Sequence, residues 1–186
     1  MTLPNQLTVL RIILTPIFLY LFLSNDPLLI QISLAVFLVA ALTDWGKFWD
    51  PLADKILTST AFLGFVFVGL VELWMVILII FRDLIVTLLR IYAESRGYNF
   101  VTSYYAKWKT VLQMVFLYYL LLLYGGLNTI ELYTGNEQLF NLLSNKDLIY
   151  GVMLVITIIT VHSGITYVLN NKHLIKKLFN ETNKLV

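Results

Sequence analysis

Six apolar stretches dominate this sequence, each close to the length that crosses a hydrocarbon layer: about Leu7 to Leu23, Leu28 to Leu42, Pro51 to Val71, Leu73 to Ala93, Tyr105 to Tyr124 and Leu148 to Leu169. A bilayer core of about 30 Å takes roughly 20 helical residues at 1.5 Å each, so six crossings nearly exhaust a chain of 186 residues. One domain spanning 1–186 follows, with no room for a second, soluble one. Hydrocarbon offers backbone N–H and C=O groups no partners, which leaves the helix as the element these stretches can form. The expected fold class is an all-α polytopic membrane protein, a bundle of about six transmembrane helices. A 59% hydrophobic content beside 13% charged residues agrees with the bilayer as solvent. No cysteine is present, which excludes disulfides, thiolate chemistry and Cys-based metal sites.

The stretches are punctuated by Ser24-Asn25-Asp26-Pro27, a short Asp44 to Asp50 connection, a tight Gly69 to Glu72 corner, a polar Glu94 to Ser103 loop and a longer Gly125 to Asp147 segment. The first stretch contains Arg11 and is followed by no small-residue cleavage site, so it reads as a span and not a signal peptide. If the spans alternate, Lys47, Arg96, Lys107, Lys109, Lys172, Lys176, Lys177 and Lys184 fall on one side and only Lys146 on the other. The positive-inside rule then places both termini, the Asp44 to Lys55 connection and the Glu94 to Lys109 region in the cytoplasm. The tail from Asn170 onward reads as an amphipathic cytoplasmic segment whose lysines meet anionic headgroups of membrane lipid.

Ionisable groups in or beside apolar helices cost several kcal/mol unless they pair, meet water or bind a ligand, which makes each a functional candidate. Here they are Arg11, Asp44, Asp50, Asp54, Lys55, Arg82, Asp83 and Arg90, mostly toward the cytoplasmic ends of their spans. Asp50 and Asp54 are one helical turn apart, and Asp44 closes the preceding span. Carboxylates at that spacing repel unless a cation joins them, and all-oxygen donors suit Mg2+ or Mn2+. The plainer reading has Asp50 cap a helix before Pro51 and Asp54 pair with a lysine. Arg82 and Arg90 lie near one helix face, with Lys107 and Lys109 opening the next span. For Lys109 and Arg96 the simpler reading is a side chain reaching the interface; Arg82 is too deep for that. Asp83 is placed to neutralise one arginine. Carboxylates beside surplus cations suit phosphate esters, and nothing in the pattern calls for a nucleic-acid partner.

The run Gly46-Lys47-Phe48-Trp49-Asp50-Pro51-Leu52-Ala53-Asp54-Lys55 resembles the second half of the CDP-alcohol phosphatidyltransferase signature, D-x2-D-G-x2-A-R-x8-G-x3-D-x3-D, and Asp44 resembles its first aspartate. Pro4 to Arg11, Arg82-Asp83 to Arg90, Lys107 to Gln113 and Ser163 to Tyr167 are similar, more narrowly, to the branch of that family whose acceptor is glycerol 3-phosphate. The resemblance implies transfer of a phosphatidyl group from CDP-diacylglycerol to that acceptor in a cavity facing the cytoplasm, with CMP leaving. It implies metal ligation by Asp44, Asp50 and Asp54, nucleotide contacts from Asp44, Gly46 and Asp50, and Asp54 as general base. Arg82, Arg90, Lys107 and Lys109 would hold the acceptor phosphate. It also implies a homodimer, for which faces bearing Phe116, Tyr118 and Tyr119 are available.

One departure stands out. The signature sets its third aspartate 21 positions after its first, whereas Asp50 follows Asp44 by six, so fifteen positions are missing between Trp45 and Gly46. They would carry the second aspartate and the D-G-x2-A-R residues. The expectation is that a loop belongs there and that the Trp45 and Gly46 Cα atoms stand further apart than the ~3.8 Å of a trans peptide. A true deletion would put catalytic competence in question.

Two rivals come from outside this reading. An ion-coupled transporter also carries intramembrane Asp and Arg, but is expected to place them at mid-bilayer within an internal repeat, which is not seen here. A scaffolding protein has no use for acids and bases gathered on one side. Within the enzyme class the alternative is another acceptor, as in cardiolipin synthase.

Overall fold

The computed structural model describes residues 3–42, 50–98, 104–127 and 143–175. Six long helices make up the described chain: α1 Leu3–Phe22, α2 Pro27–Leu42, α3 Asp50–Phe67, α4 Leu73–Ser95, α5 Tyr104–Leu127 and α6 Lys146–Asn170. No strand occurs among the described residues. The helices coincide with the six apolar stretches to within a few residues. Asp44, Gly46 and the Trp45–Gly46 junction lie outside the described residues, as do the side chains of Asp50 and Lys107.

Local chemistry sets the helix ends. Asp26 accepts the Leu28 N–H at 2.9 Å and Pro27 takes the first helical position, where its missing donor costs nothing, so α2 starts there. Pro51, the second residue of α3, serves that helix in the same way. At the far end of α3, Gly69 adopts φ +77° while Leu70 N–H reaches the Phe65 carbonyl and Gly69 N–H that of Val66. This is a Schellman stop, and only glycine enters that conformation without strain. α4 closes similarly: Gly97 has φ +77° and Tyr98 N–H bonds the Ala93 carbonyl. Asn145 caps α6 by accepting the Asp147 N–H.

Short turns make α1–α2 and α3–α4 antiparallel pairs, and α1 packs on α3, α4 and α5 on α6, and α2 on α5. Residues 69–72 line one small cavity together with Lys146, Asp147 and Tyr150, so the α3–α4 turn and the start of α6 share an end of the bundle. Aromatic side chains fill the adjacent interior, with the Phe22 ring 5.1 Å from Phe65 and 4.8 Å from Tyr124. Gly64 lets α1 and α3 approach there, since a Cβ would sit 3.0 Å from the Phe22 ring.

Outward faces are equally apolar. Ile12, Ile13, Leu38, Ile77, Phe81, Val115, Leu122, Val155 and Ile158 are all exposed. Helices apolar on every side belong in hydrocarbon. By length and composition, 108–125 in α5 and all of α6 suffice to cross a membrane, and α1 and α2 contribute shorter apolar helices. Of the three aromatic residues named for a dimer face, Phe116 is buried in the core and the Tyr119 hydroxyl donates to the Leu143 carbonyl. Tyr118 is exposed and Tyr119 partly so.

Candidate active site

The polar interior gathers where α3, α4, α5 and α6 meet. Its centre is Asp83 of α4, only 3% exposed. One of its oxygens, Oδ1, accepts from Lys109 Nζ at 2.6 Å and from Arg82 Nη1 at 2.9 Å. Arg82 Nη2 donates to Ser163 Oγ of α6 at 2.5 Å. A single carboxylate thus joins α4 to α5 and, through Arg82, to α6. Lys55 of α3 lies near enough to act electrostatically on both Asp83 and Lys109. Two cations share the Asp83 carboxylate, with Lys55 nearby and paired with Asp54, and charged groups in a low-dielectric interior interact strongly, so the surplus of one cation favours an anionic ligand nearby.

This arrangement corrects one expectation. Lys109 does not reach out to an interface; it is 1% exposed and paired inside the bundle. Five residues into α5 it stands level with Asp83, and a carboxylate at hydrogen-bond distance outweighs the pull of distant water. The neutralising role expected of Asp83 is present and wider than anticipated, since it serves Lys109 as well as Arg82.

Small residues on α6 make the room. A Cβ on Gly164 would stand 2.8 Å from Arg82 Cγ, so the arginine stem lies directly against that glycine. We predict that Gly164→Ala displaces Arg82 from Ser163 and costs about 1–3 kcal/mol of stability through overpacking, read as a lower thermal unfolding temperature in detergent. An unchanged melting curve would show that α6 yields instead. Buried polar atoms continue one turn further along: Gln113 Oε1 and Thr160 Oγ1 have no hydrogen-bond partner among the described residues, and Arg82 Nε is likewise unpartnered.

Arg90, two turns along α4, stands beside the Tyr167 hydroxyl of α6. Asp54 occupies the first turns of α3, partly exposed, with one carboxylate oxygen 3.6 Å from Lys55 Nζ. The lysine pairing of the plainer reading is therefore present, and it connects Asp54 to the edge of the Asp83 cluster. Positions 50 and 54 are one turn apart on α3, and this all-oxygen donor set has the chemistry of a hard divalent cation. No group of three His, Asp or Glu side chains suited to a metal occurs among the described residues, which leave out Asp44 and the Asp50 side chain. Sequence reasoning gave no task to Arg11, Ser163 or Gly164. The signal for Arg11 was its charge within an apolar span, and for the other two their place in a family-like run.

The described site is thus a buried carboxylate shared by two cations, with Asp54 and Lys55 at its edge, and comparison defines the class. Residues 1–45 and 43–161 match the family described as CDP-alcohol phosphatidyltransferase, so the chain belongs to that family, whose members are membrane-embedded enzymes. Among similar curated proteins are the CDP-diacylglycerol--glycerol-3-phosphate 3-phosphatidyltransferases of Bacillus subtilis, 34% identical over 140 residues, and Mycoplasma pneumoniae, 31% identical over 146 residues. Both alignments take in 61% of this chain; they cover 72% and 64% of the respective relatives. The chain thus spans less than two thirds of the Mycoplasma protein. The enzyme of that name from Rickettsia bellii is 32% identical over 145 aligned positions, which take in 70% of this chain and 80% of the relative. That relative therefore carries residues within the aligned stretch that this chain lacks.

Proposed function

We propose that this chain transfers the phosphatidyl group of CDP-diacylglycerol to glycerol 3-phosphate, giving phosphatidylglycerophosphate and CMP. The observation that carries the reading is that relatives from several bacterial genera, matching across much of the chain, bear that one activity in their names. The buried cations support a phosphorylated acceptor over a neutral alcohol, since two fixed cations on one carboxylate leave positive charge to be met.

In this reaction an acceptor hydroxyl attacks the phosphorus that bears the diacylglycerol. A new P–O bond forms, the bond from that phosphorus to the oxygen of CMP breaks, and the hydroxyl proton passes to Asp54 as general base. Divalent cations, Mg2+ or Mn2+, would be held by Asp44, Asp50 and Asp54 and would neutralise the charge of the pyrophosphate and of departing CMP. Gly46, with Asp44 and Asp50, would contact the nucleotide. Arg82, Arg90, Lys107 and Lys109 orient the acceptor phosphate, with Asp83 and Ser163 holding the first and Asp83 the last in place. The apolar outward faces support six crossings, with the Asp54 end in the cytoplasm where the lysine excess lies.

The short connection between Asp44 and Asp50 belongs to the same proposal. A further loop between Trp45 and Gly46 is supported by the family match dividing into two segments that meet at residues 43–45. It is also supported by the extra residues in the Rickettsia relative.

Purified protein with CDP-diacylglycerol and Mg2+, offered radiolabelled glycerol 3-phosphate, phosphatidylglycerol, inositol phosphate or serine, tests the reading. Label is expected in lipid with glycerol 3-phosphate, at least tenfold above the others. Preference for phosphatidylglycerol would make the chain a cardiolipin synthase, and no transfer at all would show that the missing positions matter to catalysis.

A further inference from the structure

A groove of about 530 Å³ runs between α5 and α6, with the buried Phe116 and Ile156 as its floor and Leu112, Leu148, Gly151 and Ile159 along its walls. The side chains that line it are aliphatic or aromatic. At 1.5 Å per residue the α6 wall from Leu148 to Ile159 is about 16 Å long, so the mean cross-section of the groove is on the order of 30 Å². A helix about 10–12 Å across needs roughly three times as much. A single extended hydrocarbon chain does not.

The two ends of the groove differ. α5 and α6 run antiparallel, since Lys109 and Ser163 share the Asp83–Arg82 junction at one end while the Tyr119 hydroxyl meets the Leu143 carbonyl toward the other. Gln113 precedes Phe116 by three residues and Thr160 follows Ile156 by four, so both continue the groove floor by one turn toward the junction. They are 4% and 0% exposed, and Gln113 Oε1 and Thr160 Oγ1 have no hydrogen-bond partner among the described residues. Thr15, Thr58, Thr157 and Thr166 each turn the hydroxyl onto the carbonyl one turn earlier, and Thr160 does not. Buried polar groups cost free energy unless they are bonded, so this pair suits a ligand that brings polar atoms to it. Along the seam the order is fixed cations, two neutral hydrogen-bonding groups, then hydrocarbon. A phospholipid has the matching order of phosphate, acyl ester and chain.

We propose that the α5–α6 groove seats one acyl chain of the lipid donor, and that Thr160 and Gln113 meet the ester carbonyl of that chain. The Thr160 hydroxyl donates to the carbonyl oxygen, and the Gln113 amide does so when it presents its nitrogen. The inference rests on the transfer reading above, in which the donor phosphorus approaches an acceptor whose phosphate is held at the same junction. The acyl esters of the donor are one glycerol unit from that phosphorus, which brings them to the polar end of the groove.

Equilibrium binding of dioctanoyl and dioleoyl CDP-diacylglycerol to the full-length protein in detergent tests the site. Gly151 lies nine residues, about 13.5 Å, beyond Thr160, and a Cβ there meets nothing within 4 Å, so Gly151→Leu fills the groove without pressing on the bundle. This variant is expected to bind the dioleoyl donor about tenfold more weakly and the shorter dioctanoyl donor as the wild type does. Thr160→Val is expected to weaken both donors about three- to tenfold, because both carry the ester. Wild-type dioleoyl affinity in Gly151→Leu, or an equal loss with both donors, would overturn the chain site and leave the transfer reading standing. Wild-type affinity in Thr160→Val would overturn the ester contact. Should Gly151→Leu fail to fold, Val152→Trp, at an exposed position lining the groove, decides by the same comparison. Unaltered donor binding together with loss of a dimer in sedimentation would give the groove to a second copy of the chain and overturn the proposal. A wild-type chain that binds neither donor would overturn the transfer reading and this site with it.

Discussion

An Asp54→Asn protein should bind CDP-diacylglycerol as the wild type does and turn over about a hundred to ten thousand times more slowly. The magnitude is that of losing a general base, and the split follows from where the base acts. A carboxamide keeps the size of the side chain and an oxygen that can still face a cation, but it cannot take a proton from the acceptor hydroxyl. Donor affinity, set by the nucleotide, the pyrophosphate and the acyl chains, has no share in that proton. Asp54 stands in the first turns of α3, partly exposed and 3.6 Å from Lys55, so the exchange should leave the fold unchanged. Equilibrium binding of the donor and single-turnover transfer, measured on one preparation, check both halves. Turnover near the wild-type rate would remove Asp54 as the base.

The second large effect concerns stability. Replacing Asp83 by Asn leaves Arg82 and Lys109 buried together without their shared counter-charge, and removing one member of a buried ionic set costs about 3–5 kcal/mol. Lys109 suffers more from this loss, since at 1% accessibility it cannot turn to water. Arg82 keeps its bond to Ser163. Adding Lys109→Met to Asp83→Asn should restore some of the loss, because the second change removes the stranded charge and leaves an apolar chain of similar length. A double-mutant cycle by thermal unfolding in detergent should give a coupling of about 0.5–3 kcal/mol. If Asp83→Asn melts like the wild type, the three groups are not the junction described here.

The helices were legible because hydrocarbon imposes one solution on apolar runs, and because Asp26-Pro27, Asp50-Pro51, Gly69 and Gly97 mark ends by chemistry that acts over a few residues. Pairings between helices were not. Lys109 sits five residues into its helix, where a side chain that snorkels and one that is buried look alike in sequence. What decides between them is the depth of Asp83 on the neighbouring helix, a matter of how two rods align along their length. The same holds for Arg11, which donates to a backbone carbonyl 29 residues away that carries no mark in the sequence. Ser163 and Gly164 are small residues in an apolar helix, ordinary until an arginine from α4 is laid across them. The acids of the signature were legible as a set through their spacing, while the described residues place only Asp54 of them in full.

The adjacency of Arg82 and Asp83 bears on how such a chain is assembled during synthesis. In the proposed six-span arrangement, α4 carries a counter-charge for Arg82 with it into the membrane, because Arg82 and Asp83 are neighbours in contact at 2.9 Å. The next helix has no such provision: Lys109 has no acid within α5 to accompany it. In that arrangement Lys109 would reach the membrane after the helix that carries Asp83. The order of the two helices along the chain would then also be an order of electrostatic dependence, with the carboxylate in place before the lysine that pairs with it.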